Sequence, residues 1–257
     1  MFENVFVSVI TPTYNDERFV EQTIRSVLNQ THKNLELIIV DDNSTDSTLR
    51  IISSINDSRI RLFENSKNMG AAYSRNKALL EARGDYVAFL DGDDLWAPNK
   101  LDQQLQFMQK NNYCFSATFY REIDEHGDFL GFEFHAPKRI THRKFLRANY
   151  IGCLTVMYKR NIYPDLQIPN TILKRNDYAL WLKLSEKADC FTLQESLSFY
   201  RKRVSSVSSG KKKYLIKHHK VLFSALYGYG VFVSSIFAFR NIFYYIIKRL
   251  VYRRKIK

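Results

Sequence analysis

This sequence of 257 residues has few cysteines and lacks the common glycine-rich nucleotide-binding motifs. The three cysteines, Cys114, Cys153 and Cys190, lie far apart, with no CxxC pair and no nearby histidine at metal-ligand spacing. This pattern argues against a disulfide scaffold and indicates free core thiols in a reducing compartment. Neither GxGxxG nor GxxxxGK(S/T) occurs, so a dinucleotide oxidoreductase or a phosphate-loop ATPase would lack its signature.

A signal peptide is missing as well. Met1-Phe2-Glu3-Asn4 leads directly into a strand-like run, without the basic start, apolar run and small-residue cleavage site of a secretory signal. We therefore expect the chain to stay in the cytoplasm.

Acidic residues are absent from the end of the sequence. Residues 201–257 contain 15 Lys/Arg and no Asp or Glu, whereas residues 1–200 carry a net charge of −2. A nearly neutral body with a strongly basic end indicates an enzyme tethered to an anionic surface. The sequence thus predicts a body at 1–205 and a basic tail at 211–257, with Ser205–Gly210 as a flexible joint.

The first hundred residues alternate short apolar runs with amphipathic stretches. Four runs are predicted to be strands: Val5–Ile10, Leu35–Val40, Ile60–Phe63 and Tyr86–Leu90. Helices are predicted at 17–29, Thr45–Ile55, Ala71–Ala82 and from Pro98 onward. Strands that alternate with helices of about 10–15 residues predict an α/β fold, with a mainly parallel sheet flanked by helices.

The second half has a mixed pattern. Strands are predicted at Tyr113–Phe119, Ile151–Tyr158 and Leu197–Tyr200, a hairpin turn at 124–128 and a helix at 177–187.

Polar side chains follow three of the predicted strands, at 11–15, 41–46 and 91–94. Ligands of parallel α/β sheets bind beyond the carboxyl ends of the strands, so we expect these clusters to meet in one crevice. Asp91-Gly92-Asp93-Asp94 is the sharpest cluster, because two carboxylates one residue apart can share a hard divalent cation and a sugar hydroxyl. The alternative is a solvated acidic turn before a helix.

Two further candidates each have a structural alternative. In the first pair, Asp41-Asp42, one carboxylate would face the crevice and accept a hydrogen bond from a nucleobase N–H. Alternatively, Asp41, Asp42 or Ser44 would cap the next helix. The ring of Tyr14 would stack on a nucleobase or pack in the core.

Several motifs in a fixed order carry a resemblance to a known family. It begins with Val7-Ser8-Val9-Ile10-Thr11-Pro12-Thr13-Tyr14-Asn15 and Ser26-Val27-Leu28-Asn29-Gln30-Thr31. It continues with Glu36–Asp46, Asn68-Met69-Gly70, Arg75-Asn76 and Leu90–Asp94. These motifs span about residues 5–205 and are similar to those of glycosyltransferase family 2, in particular bacterial capsule, O-antigen and teichuronic-acid type sugar transferases.

The resemblance implies a GT-A fold, a nucleotide-sugar donor, a divalent metal ion (Mg²⁺ or Mn²⁺) and inversion at the anomeric carbon. By position, Asp42 resembles the nucleobase-binding aspartate of the family, and Tyr14 resembles its base-stacking aromatic residue. Asp91 would contact the ribose or the sugar, and Asp93 would ligate the metal between the two phosphates. Three more residues would line the same pocket: Thr11, Pro12 and Arg75.

A later aspartate resembles the catalytic base of that family. In Arg175-Asn176-Asp177-Tyr178-Ala179-Leu180-Trp181, Asp177 matches the base and Asn176 replaces the customary glutamate. Asp177 would take the proton of the acceptor hydroxyl, while a metal on Asp93 neutralises the departing nucleoside diphosphate. The alternative is that Asn176 caps a helix and Asp177 complements its dipole. Arg203 would contact the donor diphosphate, or would begin a solvated basic stretch.

The tail contains 19 uncharged residues at Val221–Phe239. As a helix they would be roughly 28 Å long, close to the ~30 Å of a bilayer core. Gly228 and Gly230 weaken the case for a span, so we predict one or two helices in the membrane interface with Lys/Arg near anionic headgroups. The alternative is a helical pair packed on the catalytic domain.

These features together predict an inverting glycosyltransferase attached to the inner face of the cell membrane. It would move a sugar from a UDP-sugar to a lipid-linked oligosaccharide, as in capsule or lipopolysaccharide assembly, and no nucleic acid partner is expected. A non-enzymatic basic adaptor that binds membrane or nucleic acid is the main alternative. A sugar nucleotidyltransferase is a second one, but Thr11–Asp16 lacks the glycine-rich basic loop that it would need.

Overall fold

The computed structural model of the chain describes residues 5–203 and 213–256. The predicted joint at Ser205–Gly210 lies outside these ranges. Four strands form the amino-terminal half of one sheet: β1 (Val7–Thr13), β2 (Leu35–Asp41), β3 (Ile60–Glu64) and β4 (Tyr86–Phe89). They are all parallel, as the alternating pattern predicted, and they lie in the order β3-β2-β1-β4.

Three helices connect these strands, each close to its predicted position: α1 (Val20–Leu28), α2 (Thr48–Ser54) and α3 (Ala71–Glu81). The first strand runs three residues past its predicted end at Ile10, through Pro12. That proline is tolerated because β4 pairs with β1 only as far as Ile10, so the amide that Pro12 lacks is not needed on that side.

The other half of the sheet is mixed. Its strands are β5 (Leu95–Trp96), β6 (Phe115–Ile123), β7 (Phe129–Phe134), β8 (Arg139–Ile140), β9 (Met157–Lys159) and β10 (Cys190–Arg201). Strand β9 joins β4 to β6 by antiparallel pairing, and β10 runs parallel to β6. The predicted hairpin turn at 124–128 connects β6 and β7, with Gly127 at φ +95°.

Three helices accompany these strands: α4 (Lys100–Lys110), α5 (His142–Phe145) and α6 (Asn176–Ser185). The prediction of one strand over Ile151–Tyr158 is wrong for most of its length. Cys153–Thr155 forms a 3₁₀ turn, because the amide and hydroxyl of Thr155 both donate to the carbonyl of Gly152, and only Met157–Lys159 pairs with the sheet.

Apolar side chains fill both faces of the sheet. One cluster packs α1 and α4 against it, with Ile24 and Leu101 fully buried. The other packs α3 and α6, where the rings of Phe89 and Trp181 meet edge to face at 5.2 Å. The three cysteines are free thiols, as predicted.

The tail forms helices α7 (Lys213–Tyr227) and α8 (Val231–Tyr252) and a last strand, β11 (Arg253–Lys255). Strand β11 pairs antiparallel with β7 and so extends the same sheet. Leu222, Phe223 and Ala238 of the two helices are fully buried. One side of the tail therefore packs on the body, which is the arrangement that the sequence offered only as an alternative.

Helix α8 has two opposite faces. Its inner face carries Ser234, Ala238, Asn241 and Lys248, all buried against the body. The opposite stripe is apolar and exposed, and repeats at helical spacing: Phe232, Ile236, Phe239, Phe243, Ile246 and Leu250. By length and composition alone, α8 is also long and apolar enough to cross a membrane.

Candidate active site

A cavity of about 910 Å³ opens at the carboxyl ends of β1, β2 and β4. Eight of the nine residues singled out in the sequence line it: Pro12, Tyr14, Asp42, Arg75, Asp91, Asp93, Asp177 and Arg203. Asp42, Asp93 and Asp177 are far apart in sequence, yet they share this one cavity. The polar clusters at the strand ends therefore converge, as the sheet topology predicted.

Thr11 is the exception, and the prediction that it lines the pocket is wrong. Its side chain is fully buried within β1, whose whole length from Val7 to Thr13 is buried. The wall of the cavity begins only at Pro12, where β1 passes the end of β4.

Asp42 holds the loop that precedes α3. Its Oδ1 accepts hydrogen bonds from the Asn65 side chain (2.8 Å) and the Met69 amide (2.9 Å), and its Oδ2 accepts one from the Gly70 amide (2.7 Å). A carboxylate offers about four acceptor positions, so capacity for one more donor remains. Asp42 does not cap α2; its neighbour Asp41 instead binds the amide and hydroxyl of Ser44 in a turn.

Arg75 connects two parts of the cavity. Its guanidinium, buried on α3, donates to the side chains of both Asp91 and Asn176. Burial alone would lower the pKa of Arg75, but the negative charge of Asp91, with a contribution from Asp177, outweighs it and raises that pKa. Asn176 therefore does not cap α6: its side-chain oxygen orients Arg75, and the αL residue Arg175 holds the cap position.

Asp93 and Asp16 share a single arginine. Arg203 Nη1 lies 2.6 Å from Asp16 Oδ1, and its Nε lies 2.8 Å from Asp93 Oδ2. Burial raises the pKa of Asp93 to about 7, and the Asp16 and Asp91 charges add to this effect while Arg203 opposes it. Burial also raises the pKa of Asp16 despite Arg203. The single positive charge of Arg203 therefore does not balance the carboxylates of this cluster.

Gly92 allows the turn to lie this close to Asp16. A Cβ at this position would stand 2.6 Å from Asp16 Oδ2 and 3.0 Å from Thr13 Oγ1. The next carboxylate, Asp94, is buried and accepts the Arg201 amide (2.9 Å). Asp94 therefore fixes the turn to β10 and leaves Asp91 and Asp93 facing the cavity.

The residues of this turn fit a divalent cation. Within residues 5–203 and 213–256, no group of three or more His, Cys, Asp or Glu side chains is arranged to hold a metal. Mg²⁺ in phosphate-transferring sites is commonly held by one or two carboxylates plus substrate phosphates. A buried carboxylate with a raised pKa, such as Asp93, is an oxygen ligand whose charge a cation would offset.

Asp177 lies in the first turn of α6 and lines the same cavity as the strand-end residues. Its Oδ2 accepts a hydrogen bond from the Asn149 side chain (3.2 Å). It forms no ion pair with a described residue, so its carboxylate keeps acceptor capacity toward the cavity.

Several cavity residues were not predicted from the sequence. Asp16 lies one residue beyond the polar cluster predicted at 11–15, and Asn149 lies in no recognisable motif. Tyr245 and Lys248 reach the cavity from α8, which the sequence assigned to a separate tail. The signal that could have found Asp16 is its position three residues after Thr13, in the same strand-end cluster as Tyr14.

The chain resembles known proteins over most of its length. Residues 8–166 match the family profile "Glycosyl transferase family 2". The putative teichuronic acid biosynthesis glycosyltransferase TuaG of Bacillus subtilis (strain 168) is 45% identical over 210 residues, 80% of this chain and 83% of that protein. WfgD of Escherichia coli, named UDP-Glc:alpha-D-GlcNAc-diphosphoundecaprenol beta-1,3-glucosyltransferase, is 40% identical over 222 residues, 86% of each chain.

A solved structure matches the fold. The mannosyltransferase PcManGT from Pyrobaculum calidifontis, in complex with GDP-Man and Mn²⁺, superposes with a TM-score of 0.65 at 22% identity. The match covers 91% of this chain and 68% of that one. The predicted GT-A fold is thereby confirmed.

Proposed function

The chain belongs to glycosyltransferase family 2 and is a glycosyltransferase; from this premise we propose its donor, acceptor and mechanism. It transfers a sugar from a UDP-sugar to a hydroxyl of a lipid-linked saccharide, with inversion at the anomeric carbon, during synthesis of a cell-surface polysaccharide. The observation that carries the proposal is that Asp42, Asp93 and Asp177 line one cavity. A non-enzymatic adaptor would not account for this convergence.

The uracil base is bound at the end of β2. Asp42 accepts the base N–H with its remaining acceptor capacity, and Tyr14, which is 43% exposed at the cavity wall, stacks on the ring. The relative WfgD is named for a UDP-Glc donor, which supports uridine over other nucleotides. Pro12 completes this end of the cavity.

The donor diphosphate lies beside the Asp91–Asp94 turn. Asp93 would hold a Mg²⁺ or Mn²⁺ ion that offsets the negative charge growing on the departing diphosphate. Arg203 already contacts Asp93 (2.8 Å) and provides a second positive charge there. Asp91, oriented by Arg75, accepts hydrogen bonds from the ribose or sugar hydroxyls.

Asp177 is the general base. It lines the same cavity as the proposed donor residues and takes the proton of the acceptor hydroxyl as that oxygen attacks the anomeric carbon. A single displacement from the face opposite the leaving group inverts the configuration. Asn149 holds the carboxylate in place.

The acceptor is proposed to be lipid-linked because the cavity lies next to α8. The exposed apolar stripe of that helix would lie in the membrane interface, and nine Lys and Arg residues at 213–256, without one acidic residue, would attract anionic headgroups. We infer attachment to the inner face of the cell membrane on these grounds. WfgD is named for a diphosphoundecaprenol-linked acceptor, which supports the same class.

The test is transfer by the purified full chain. UDP-, GDP- and dTDP-sugars are offered with a GlcNAc-diphospholipid acceptor, with and without MnCl₂, and the anomeric configuration of the product is read by NMR. We expect turnover with a UDP-sugar, dependence on the metal, and an inverted product. Asp93→Asn should lose at least a hundredfold in rate, while Asp128→Asn, on the exposed hairpin turn, serves as the control. A retained configuration or equal turnover by Asp93→Asn would contradict the proposal.

A further inference from the structure

The cavity lining draws its charged side chains from two parts of the chain. The strand ends and the loops after them supply Asp16, Asp42, Asp91 and Asp93. A second part, which we call the second wall, comes from the residues before and at the start of α6 and from α7 and α8, and it includes three cationic side chains: Lys174, Arg175 and Lys248. Among the described residues that line this second wall, Asp177 is the one carboxylate. The second wall therefore carries an excess of positive charge next to the proposed base.

Lys248 is held close to Asp177 through one shared neighbour. Its ammonium, buried on the inner face of α8, donates to the carbonyl of Asn149 (2.7 Å), and the Asn149 side chain donates to Asp177 (3.2 Å). One hydrogen bond leaves two further N–H donors on the ammonium. A group bound to Lys248 would thus lie one residue away from the base.

Arg175 reinforces this positive charge. It has a left-handed backbone (φ +63°), which is uncommon for a residue other than glycine, and no carboxylate of the described chain forms an ion pair with it. Burial and next the charge of Arg175 lower the pKa of Lys248 to about 8. The pKa of His218 in the same wall is lowered by burial, then by Lys174 and other nearby cations. Asp177 alone among the described carboxylates of this wall opposes the lowering of the Lys248 pKa, and three cations against one carboxylate favour an anionic ligand.

We propose that Lys174, Arg175 and Lys248 bind the diphosphate of the lipid-linked acceptor. This inference rests on the proposed function and adds the acceptor half of the site. A guanidinium and two ammonium groups match the charge and the acceptor oxygens of a diphosphate. A diphosphate on this wall places the first sugar of the acceptor between Lys248 and the donor, with a hydroxyl facing Asp177.

The surroundings of this wall suit a lipid. Leu173 is exposed at the mouth of the cavity, and Tyr245 of α8 lines it. The apolar stripe on the far side of α8 would lie in the membrane interface, so the diphosphate would enter beside the helix at headgroup depth. The lipid chain then stays in the bilayer while its sugar reaches the base.

The first test compares two acceptors that differ only in the anion. One is α-GlcNAc joined by a diphosphate to an undecyl chain, and the other is the neutral undecyl α-GlcNAc glycoside. We expect wild-type kcat/KM to be at least tenfold higher for the diphosphate acceptor, mainly through KM. That ratio should fall at least fivefold in Arg175→Gln and in Lys248→Gln. Arg50→Gln and Lys110→Gln, both exposed and remote from the cavity, should keep the wild-type ratio.

The second test needs no acceptor sugar. Farnesyl diphosphate is titrated into the full chain saturated with UDP and MnCl₂, and its affinity should weaken at least fivefold in Arg175→Gln and in Lys174→Gln, whose side chains lie outside the core. Failure of wild type to bind farnesyl diphosphate, or equal ratios and affinities in variants and wild type, would overturn this inference while leaving the donor reaction intact. Loss of UDP binding and of transfer to both acceptors would instead count against the proposed function itself.

Discussion

At the level of single residues, the site contains more carboxylates than positive charges, because two arginines are paired with three aspartates. Arg203 contacts Asp16 and Asp93, and Arg75 contacts Asp91. Both arginines are already paired with carboxylates, so a diphosphate entering this site would need the additional charge of a cation. We therefore expect the site to bind an anionic ligand together with a metal ion.

Asp177→Asn tests the proposed base. The amide keeps the shape and the contact with Asn149, but it does not accept the hydroxyl proton, so kcat should fall by about a hundredfold or more. UDP affinity should stay within about twofold, because none of the proposed UDP contacts involves Asp177. Steady-state kinetics and UDP titration give both values, with Asp128→Asn as the control. Full transfer by Asp177→Asn would remove Asp177 from the mechanism.

Gly92→Ala tests the close approach of the Asp91–Asp94 turn to Asp16. The new Cβ would stand 2.6 Å from Asp16 Oδ2, so either the turn or Asp16 must move. We expect a loss of about 1–3 kcal/mol in stability and UDP binding in MnCl₂ that is at least several-fold weaker. Thermal unfolding and UDP titration measure the two effects. The matched control is Gly230→Ala, where no atom lies within 4 Å of the added Cβ; equal behaviour of the two variants would contradict the steric explanation.

The sequence predicted residues of this site where a motif ends a strand, as for Asp42, Asp91 and Asp93. It did not predict Asn149 or Lys248, because their roles depend on contacts between segments about 30 and 100 residues apart, such as Asn149 to Asp177 and Lys248 to Asn149. It also misplaced Thr11, which lies buried one residue before the cavity wall begins at Pro12.

At the level of whole elements, α8 packs on the body with one face and exposes an apolar stripe on the other. Its inner face forms hydrogen bonds with the body, for example between Asn241 and the Tyr178 hydroxyl (2.9 Å), and its strand extension β11 is anchored by Arg253 to Glu122 (2.9 Å). Its outer stripe is left exposed. The apolar run in the sequence indicated a membrane helix, but β11 could not be predicted, because Arg253–Lys255 is too short and too charged to read as a strand.

Charges placed on the outer stripe test membrane attachment. Phe239 and Phe243 are 60% and 61% exposed, so the double variant Phe239→Glu/Phe243→Glu should fold normally and lose most of its binding to vesicles that contain anionic lipid. Co-flotation with such vesicles measures this. Leu80→Glu, at an equally exposed leucine on α3, is the control and should float like wild type. Release of wild type by high salt favours an interfacial helix, whereas release by detergent alone would favour a span.

At the scale of the whole molecule, two parts of the chain line one cavity, and we propose that one binds the donor and the other the acceptor. The proposed donor half belongs to the parallel strands that the sequence motifs predicted, and the proposed acceptor half comes from α6 together with the tail. The sequence showed the charge difference between body and tail but assigned it to the membrane alone. Only the packing of α8 against the body reveals that part of this charge, at Lys248, reaches the active site.

The carboxylate cluster should also make the stability of the whole protein depend on pH and on metal. In the folded chain, burial raises the pKa of Asp93 to about 7, whereas an unfolded aspartate titrates near 3.8. The folded state therefore binds the proton more tightly, and stability falls as pH rises from about 4 to about 7, with the full loss above that range. Without ligand, the melting temperature should drop between pH 5 and pH 8 more steeply for wild type than for Asp93→Asn, which keeps the shape but does not titrate.

Metal and nucleotide should reverse this loss, because they bind the ionised form of Asp93 in the folded state only. At a free concentration a hundredfold above Kd, such a ligand adds about 2.7 kcal/mol of stability. Differential scanning fluorimetry at pH 8 with UDP and MnCl₂ should thus raise the melting temperature of wild type clearly and that of Asp93→Asn far less. Parallel pH slopes for the two proteins, together with equal stabilisation by MnCl₂ and UDP, would mean that Asp93 neither carries the raised pKa nor holds the cation.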